Sequence, residues 1–227
     1  LTQHGDLGEQ LKTYTSVLTT VNTVHPELLT LLGYKEDVDK GIADLHSFLA
    51  QYLALNGSTQ SQAMKDAIIL NITNKTTKLI DDLPRSFVIQ KTVRDVIVPS
   101  TNDLTDTVVL SHQQDQESKD KLALYQGQVT VDGTAAYYVL EFFNGDEERG
   151  TLISKKVTSN AANAYVVDVL PGIRADMVEF SDEPEVIQSS PALVRWKMTS
   201  GGTFSYSYVL QGDKVNNLKD FKTLVIP

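Results

Sequence analysis

The apolar residues of this chain keep one period up to Pro84 and another beyond it, and that change limits the fold more than any other feature. Between residues 7 and 24, Leu7, Leu11, Tyr14, Val17, Leu18, Val21 and Val24 recur at steps of three and four, which lines one face of a helix. His25-Pro26 interrupts that helix, because proline has no amide hydrogen to donate, yet Pro26 suits the first turn of a short helix ending at Gly33. A second stripe, Val38, Ile42, Leu45, Phe48, Leu49, Tyr52 and Leu53, follows an acidic opening at Glu36, Asp37 and Asp39 that favours a helix N-terminus. Asn56-Gly57 ends it. A third stripe starts near Ser61, carries Met64, Ile68, Ile72, Leu79 and Leu83, and stops at Pro84. Residues 1–84 therefore read as a helical bundle or hairpin.

After Pro84 the apolar runs are short and β-branched. Phe87-Val88-Ile89 and residues 93–98 predict strands, and residues 101–121 read as a polar connection, so 85–121 is a strand-containing link. From 122 onward, strands are expected at 122–131, 134–143, 151–157, 165–170, 193–198 and 203–210. Asp132-Gly133, Asn144-Gly145 and Gly201-Gly202 are expected as hairpin turns. Within these strands Val194, Trp196 and Met198 alternate with Arg195 and Lys197, and Phe204, Tyr206, Tyr208 and Leu210 alternate with Ser205, Ser207 and Val209. This is the signature of an antiparallel sandwich over 122–227, with Trp196 packed between its sheets. The fold class expected is α+β.

Composition narrows the function by exclusion. Acids outnumber bases 29 to 20, a net charge of −9, so the clustered cations that nucleic acid or an anionic membrane requires are missing. There is no cysteine, which removes disulfides, thiolate metal sites and cysteine nucleophiles. No run approaches the length of a membrane-spanning helix. No basic-then-apolar export signal opens the chain, which starts on Leu1 and not on methionine, as a processed or excised chain does.

Three Asn-x-Ser/Thr acceptors, Asn56-Gly57-Ser58, Asn71-Ile72-Thr73 and Asn74-Lys75-Thr76, fall in one short region, where chance gives roughly one or two in the whole chain. Asn56, Asn71 and Asn74 are the site residues this points to, as glycosylation sites in an extracellular or cell-surface protein. His4, His25, His46 and His112 stand apart without ligand spacing, and no nucleophile elbow, phosphate loop or dinucleotide fingerprint occurs. No catalytic residue, metal ligand or cofactor is expected. The acidic groups 144–148 and 176–185 read as a solvated turn and as the polar side of a connection; hydrolase chemistry there needs two facing carboxylates about 5 to 10 Å apart.

Val166-Val167-Asp168-Val169-Leu170-Pro171, Pro184-Glu185-Val186-Ile187, Ser190-Pro191-Ala192-Leu193-Val194-Arg195-Trp196 and Gly202-Thr203-Phe204-Ser205-Tyr206 together resemble an immunoglobulin-like sandwich of predicted archaeal cell-surface proteins. The likeness spans residues 120–227 and departs from the pattern at Ser200-Gly201-Gly202, where a Pro-Gly turn is usual. It implies an envelope-exposed module for display, assembly or adhesion and carries no functional residue with it. The expected partners are other envelope proteins, copies of the chain itself, and glycans. The alternative is a carbohydrate- or peptide-binding module that uses sandwich loops near Asn144 or Ser181.

Overall fold

A computed structural model of the chain describes residues 4–98, 122 and 126–226. The polar connection expected at 101–121, with His112, lies outside the described residues. The protein is α+β, a helical part followed by two antiparallel sheets. It divides into two compact units, Leu1–Val88 with Val139–Glu148, and Ile89–Tyr138 with Arg149–Pro227.

The first unit holds helices α1 (His4–Val24), α2 (Pro26–Leu31), α3 (Lys35–Ala54) and α4 (Gln62–Ile80). Threonine is a poor helix former, but in α1 the hydroxyls of Thr13, Thr15, Thr19, Thr20 and Thr23 donate to carbonyls four residues back at 2.7–2.9 Å. Helices α1 and α3 run antiparallel. A methyl on Gly8 would lie 2.9 Å from the Tyr52 ring, Leu18 flanks Gly41, and Asn22 Nδ2 donates to Asp39 Oδ1 at 2.8 Å. Ser61 caps α4 by accepting from the Met64 amide. The stripes meet in a core of Leu7, Leu11, Leu18, Val38, Leu45, Ile72, Ile80 and Leu83, joined by Phe143 from the segment 139–148. That segment is tied down locally: the Phe143 and Asn144 amides donate to the Leu83 and Asp81 carbonyls at 3.1 Å, and Tyr34 Oη donates to Glu148 at 2.7 Å.

The second unit holds most of the sandwich. One sheet has the order β1-β2-β3-β8-β5, from β1 (Pro84–Val96), β2 (Thr130–Phe142), β3 (Glu147–Ser159), β8 (Gly202–Gln211) and β5 (Glu179–Phe180). The other has the order β6-β7-β4-β9, from β6 (Glu185–Ser189), β7 (Ala192–Met198), β4 (Ala164–Leu170) and β9 (Lys222–Ile226). Between them pack Ile153 and Val157, Val166 and Leu170, Val194, Trp196 and Met198, and Tyr206, Tyr208 and Leu210. Trp196 lies against Tyr206 with ring centroids 4.3 Å apart. The outer face of the second sheet is also buried, where Val167, Leu193, Leu224 and Ile226 meet Leu122. A strand covered on both faces needs apolar residues in succession, which accounts for the runs Val166-Val167 and Leu224-Val225-Ile226.

Two expected turns are corrected. Asp132-Gly133 is no hairpin: β2 starts at Thr130 and runs straight through it. Gly133 is there for close packing, since a Cβ on it would meet Ile97 Cδ1 at 2.7 Å and Leu218 Cδ1 at 3.1 Å. The strand expected at 122–131 is thereby displaced, with 123–125 outside the described residues. Gly201-Gly202 joins β7 to β8, which belong to different sheets, so it makes a sheet-to-sheet corner. Gly202 has φ +136° there, and a Cβ on Gly201 would meet the Asn160 carbonyl oxygen at 2.9 Å. The turn at Asn144-Gly145-Asp146 is present, with φ +94° at Gly145 and Asn144 Oδ1 accepting from the Asp146 amide at 2.8 Å.

Candidate functional site

Each acceptor asparagine is exposed. Asn56 stands in a 3-10 turn, Leu55–Gly57, and Asn71 and Asn74 lie three residues apart on α4. Their partner hydroxyls differ. Thr73 is exposed and donates back to the Ile69 carbonyl at 2.9 Å, whereas Thr76 is 4% exposed and its hydroxyl has no hydrogen-bond partner. Ser58 Oγ is also enclosed and unpartnered.

Of the histidines, His25 packs edge-on to Phe87, centroids 4.5 Å apart, and burial lowers its pKa against the pull of Glu27. His46 is exposed on α3. No group of three or more His, Asp or Glu is arranged to hold a metal among the described residues. The acidic segment 176–185 contains a 3-10 turn at Ala175–Met177, then β5 and the start of β6.

That segment forms one wall of an open groove of about 500 Å3 in the sandwich, near Ser181, lined by Tyr165, Asp182, Glu183, Glu185, Arg195, Trp196, Lys197, Phe204 and Ser205. Arg195 organises it. Its guanidinium makes two bonds to Glu185, at 2.7 and 2.8 Å, and stacks 4.3 Å over the Tyr165 ring. The same contact holds the Glu185 carboxyl below its usual range. Trp196 gives the groove only an edge, because it is 6% exposed and its indole N–H donates to the Asp182 carbonyl at 3.0 Å.

The chemically richest cluster lies inside the sandwich. Lys155 on β3 and Asp168 on β4 are both fully buried, one from each sheet. Lys155 Nζ lies 2.7 and 2.9 Å from the two carboxylate oxygens, 2.9 Å from the Phe221 carbonyl and 3.0 Å from Thr223 Oγ1. Thr223 donates to Asp168 Oδ1 at 2.7 Å and stands 3.3 Å from Tyr206 Oη. Register builds this box: Lys155 is the cross-strand partner of Tyr206, and Asp168 of Thr223. Tyr208 closes it, with Nζ 5.7 Å from its ring centre and a hydroxyl that makes no well-formed hydrogen bond. Burial lowers the Lys155 pKa, with Asp168 opposing, and burial plus the Asp168 charge raises those of Tyr206 and Tyr208 well above 10. The signal was present in the sequence, since Ile153, Lys155 and Val157 share one face of a strand, as do Val166, Asp168 and Leu170.

Compared with protein-family models, with curated proteins and with solved structures, the chain finds no match in any of the three.

Proposed function

We propose that the protein is an extracellular or cell-surface structural module, adhesive through protein–protein contacts and without enzymatic activity. The observation that carries this reading is β1. It ends its sheet among the described residues, and it exposes Ile89 and Val96, with Val98 just beyond. An edge strand offers unpaired backbone groups, and apolar side chains beside them favour addition of a strand from another chain. The three exposed acceptor asparagines support the compartment, and the immunoglobulin-like resemblance supports the class. Envelope proteins or further copies of the chain are the partners this reading names.

The test is sedimentation of the full chain over a range of concentrations, together with retention on envelope material from its own source. Association or retention that Ile89→Lys with Val96→Lys abolishes is expected. A chain that remains monomeric and is not retained overturns the reading. Glycan mass on Asn56, Asn71 or Asn74 in native material is the expected sign of export.

A second reading rests on the groove, where Tyr165 and Phe204 stand beside convergent carboxylates as a carbohydrate or peptide ligand requires. Glycan-array or peptide-array binding that Arg195→Ala removes supports it, and arrays without a hit end it.

A further inference from the structure

We propose that Lys155 and Asp168 condense to an amide, a covalent bond between side chains that ties β3 of one sheet to β4 of the other. The inference is independent of the surface role, because it rests only on the interior of the sandwich. Both reacting groups are fully buried and already in contact, at 2.7 and 2.9 Å, so neither water nor a competing partner separates them. Holding two reactants in a fixed approach supplies the largest part of what an uncatalysed condensation lacks in solution.

The step balances without any co-reactant. The ammonium first passes a proton to Asp168 Oδ2, 2.9 Å away, which gives the free amine and the carboxylic acid that the reaction needs. The Nζ lone pair attacks Cγ, and Oδ1, held by the Thr223 hydroxyl, takes up the developing negative charge. A second proton passes from nitrogen to Oδ2, the Cγ–Oδ2 bond breaks, and one water leaves. Tyr206, whose Oη stands 3.3 Å from Thr223 Oγ1, keeps its proton in this setting.

The surroundings fit the product better than the reactants. An amide needs one acceptor for its N–H and one donor for its carbonyl. The Phe221 carbonyl, 2.9 Å from Nζ, is the first, and Thr223 Oγ1, 2.7 Å from Oδ1, is the second. Condensation also removes two charges from a site where burial alone penalises both. The resulting bond is closed within one polypeptide and does the work of a disulfide in a chain that contains no cysteine.

The experiment is the intact mass of the folded full chain, followed by peptide mapping. A mass lower than the sequence requires by one water, with a branched peptide joining Lys155 to Asp168, is expected. Lys155→Arg and Asp168→Ala should each restore the full mass. An unreduced wild-type mass overturns the proposal, because it is read without reference to whether any variant folds. So does a deficit that maps to Asp132-Gly133, where ring closure to a succinimide loses the same water.

Discussion

The two units solve the problem of an interior differently. The helical core is apolar throughout apart from Thr76, assembled from three stripes that recur at one spacing. The sandwich keeps the same apolar periphery but sets a lysine, a carboxylate, a threonine and two tyrosines at its centre. An apolar core is forgiving, since any side chain of about the right volume fills it. A charged centre is not, because each member must find its partners from strands that are distant in sequence. The sandwich is therefore specified by chemistry where the helices are specified by spacing.

The largest effect should come from dividing the charged pair. Asp168→Ala leaves the Lys155 amine enclosed without the partner it meets in the wild type, and a loss of about 3–5 kcal/mol is expected. Denaturation followed by Trp196 fluorescence measures it, because the only tryptophan lies in the sandwich. The matching cut in the helices is Leu45→Ala, a fully buried residue of α3, with an expected loss of about 2–5 kcal/mol read from the helical circular dichroism signal. If Asp168→Ala costs no more than a surface change, the comparison fails.

Gly133→Val tests close packing within the sandwich. The added atoms meet Ile97 and Leu218, and a destabilisation of about 1–3 kcal/mol in the tryptophan-monitored transition is expected. Ser61→Ala removes the cap of α4 and should cost about 1 kcal/mol in the helical signal.

The smallest effect is alkaline. Burial, then the hydrogen bond to Glu148, raises Tyr34 from 10.0 to about 12, so its contribution is complete below pH 10 and is lost as pH climbs through about 12. Tyr206 and Tyr208 obey the same sign. The part of the tyrosinate absorbance that belongs to Tyr34, Tyr206 and Tyr208 should thus lag behind that of free tyrosine. A curve that Tyr206→Phe and Tyr208→Phe leave unchanged at its alkaline end contradicts the buried box.

The helices were legible because their information is local. The stripes, the break at His25-Pro26 and the cap at Ser61 all lie within a few residues of what they determine. The strands expected at 134–143, 151–157, 165–170, 193–198 and 203–210 were legible for the same reason, whereas β5, β6 and β9 were not expected. Asp132-Gly133 misled because a glycine needed for packing carries the same letter as one needed for a turn, and only Ile97 and Leu218 tell them apart. Gly201-Gly202 misled because a turn residue does not say whether the next strand joins the same sheet. Nothing local marks Phe143 for the helical core, since its contacts with Tyr14 and the Leu83 carbonyl cross long stretches of chain. The acceptor asparagines were legible as a motif. The Lys155–Asp168 pair left only a local sign, two charges on apolar strand faces, and its meeting across the sheets had none.

The enclosed hydroxyl of Thr76 gives the acceptor at Asn74 a clock. An enzyme that reads both the asparagine and the hydroxyl two residues on can engage this site only while α4 is undocked, whereas Asn71 and Thr73 stay outward in the finished fold. A sugar found on Asn74 was added to a nascent chain. If the chain is exported and glycosylated as proposed, the ratio of occupancy at the two positions, taken from one sample, would record how early the helical unit closed.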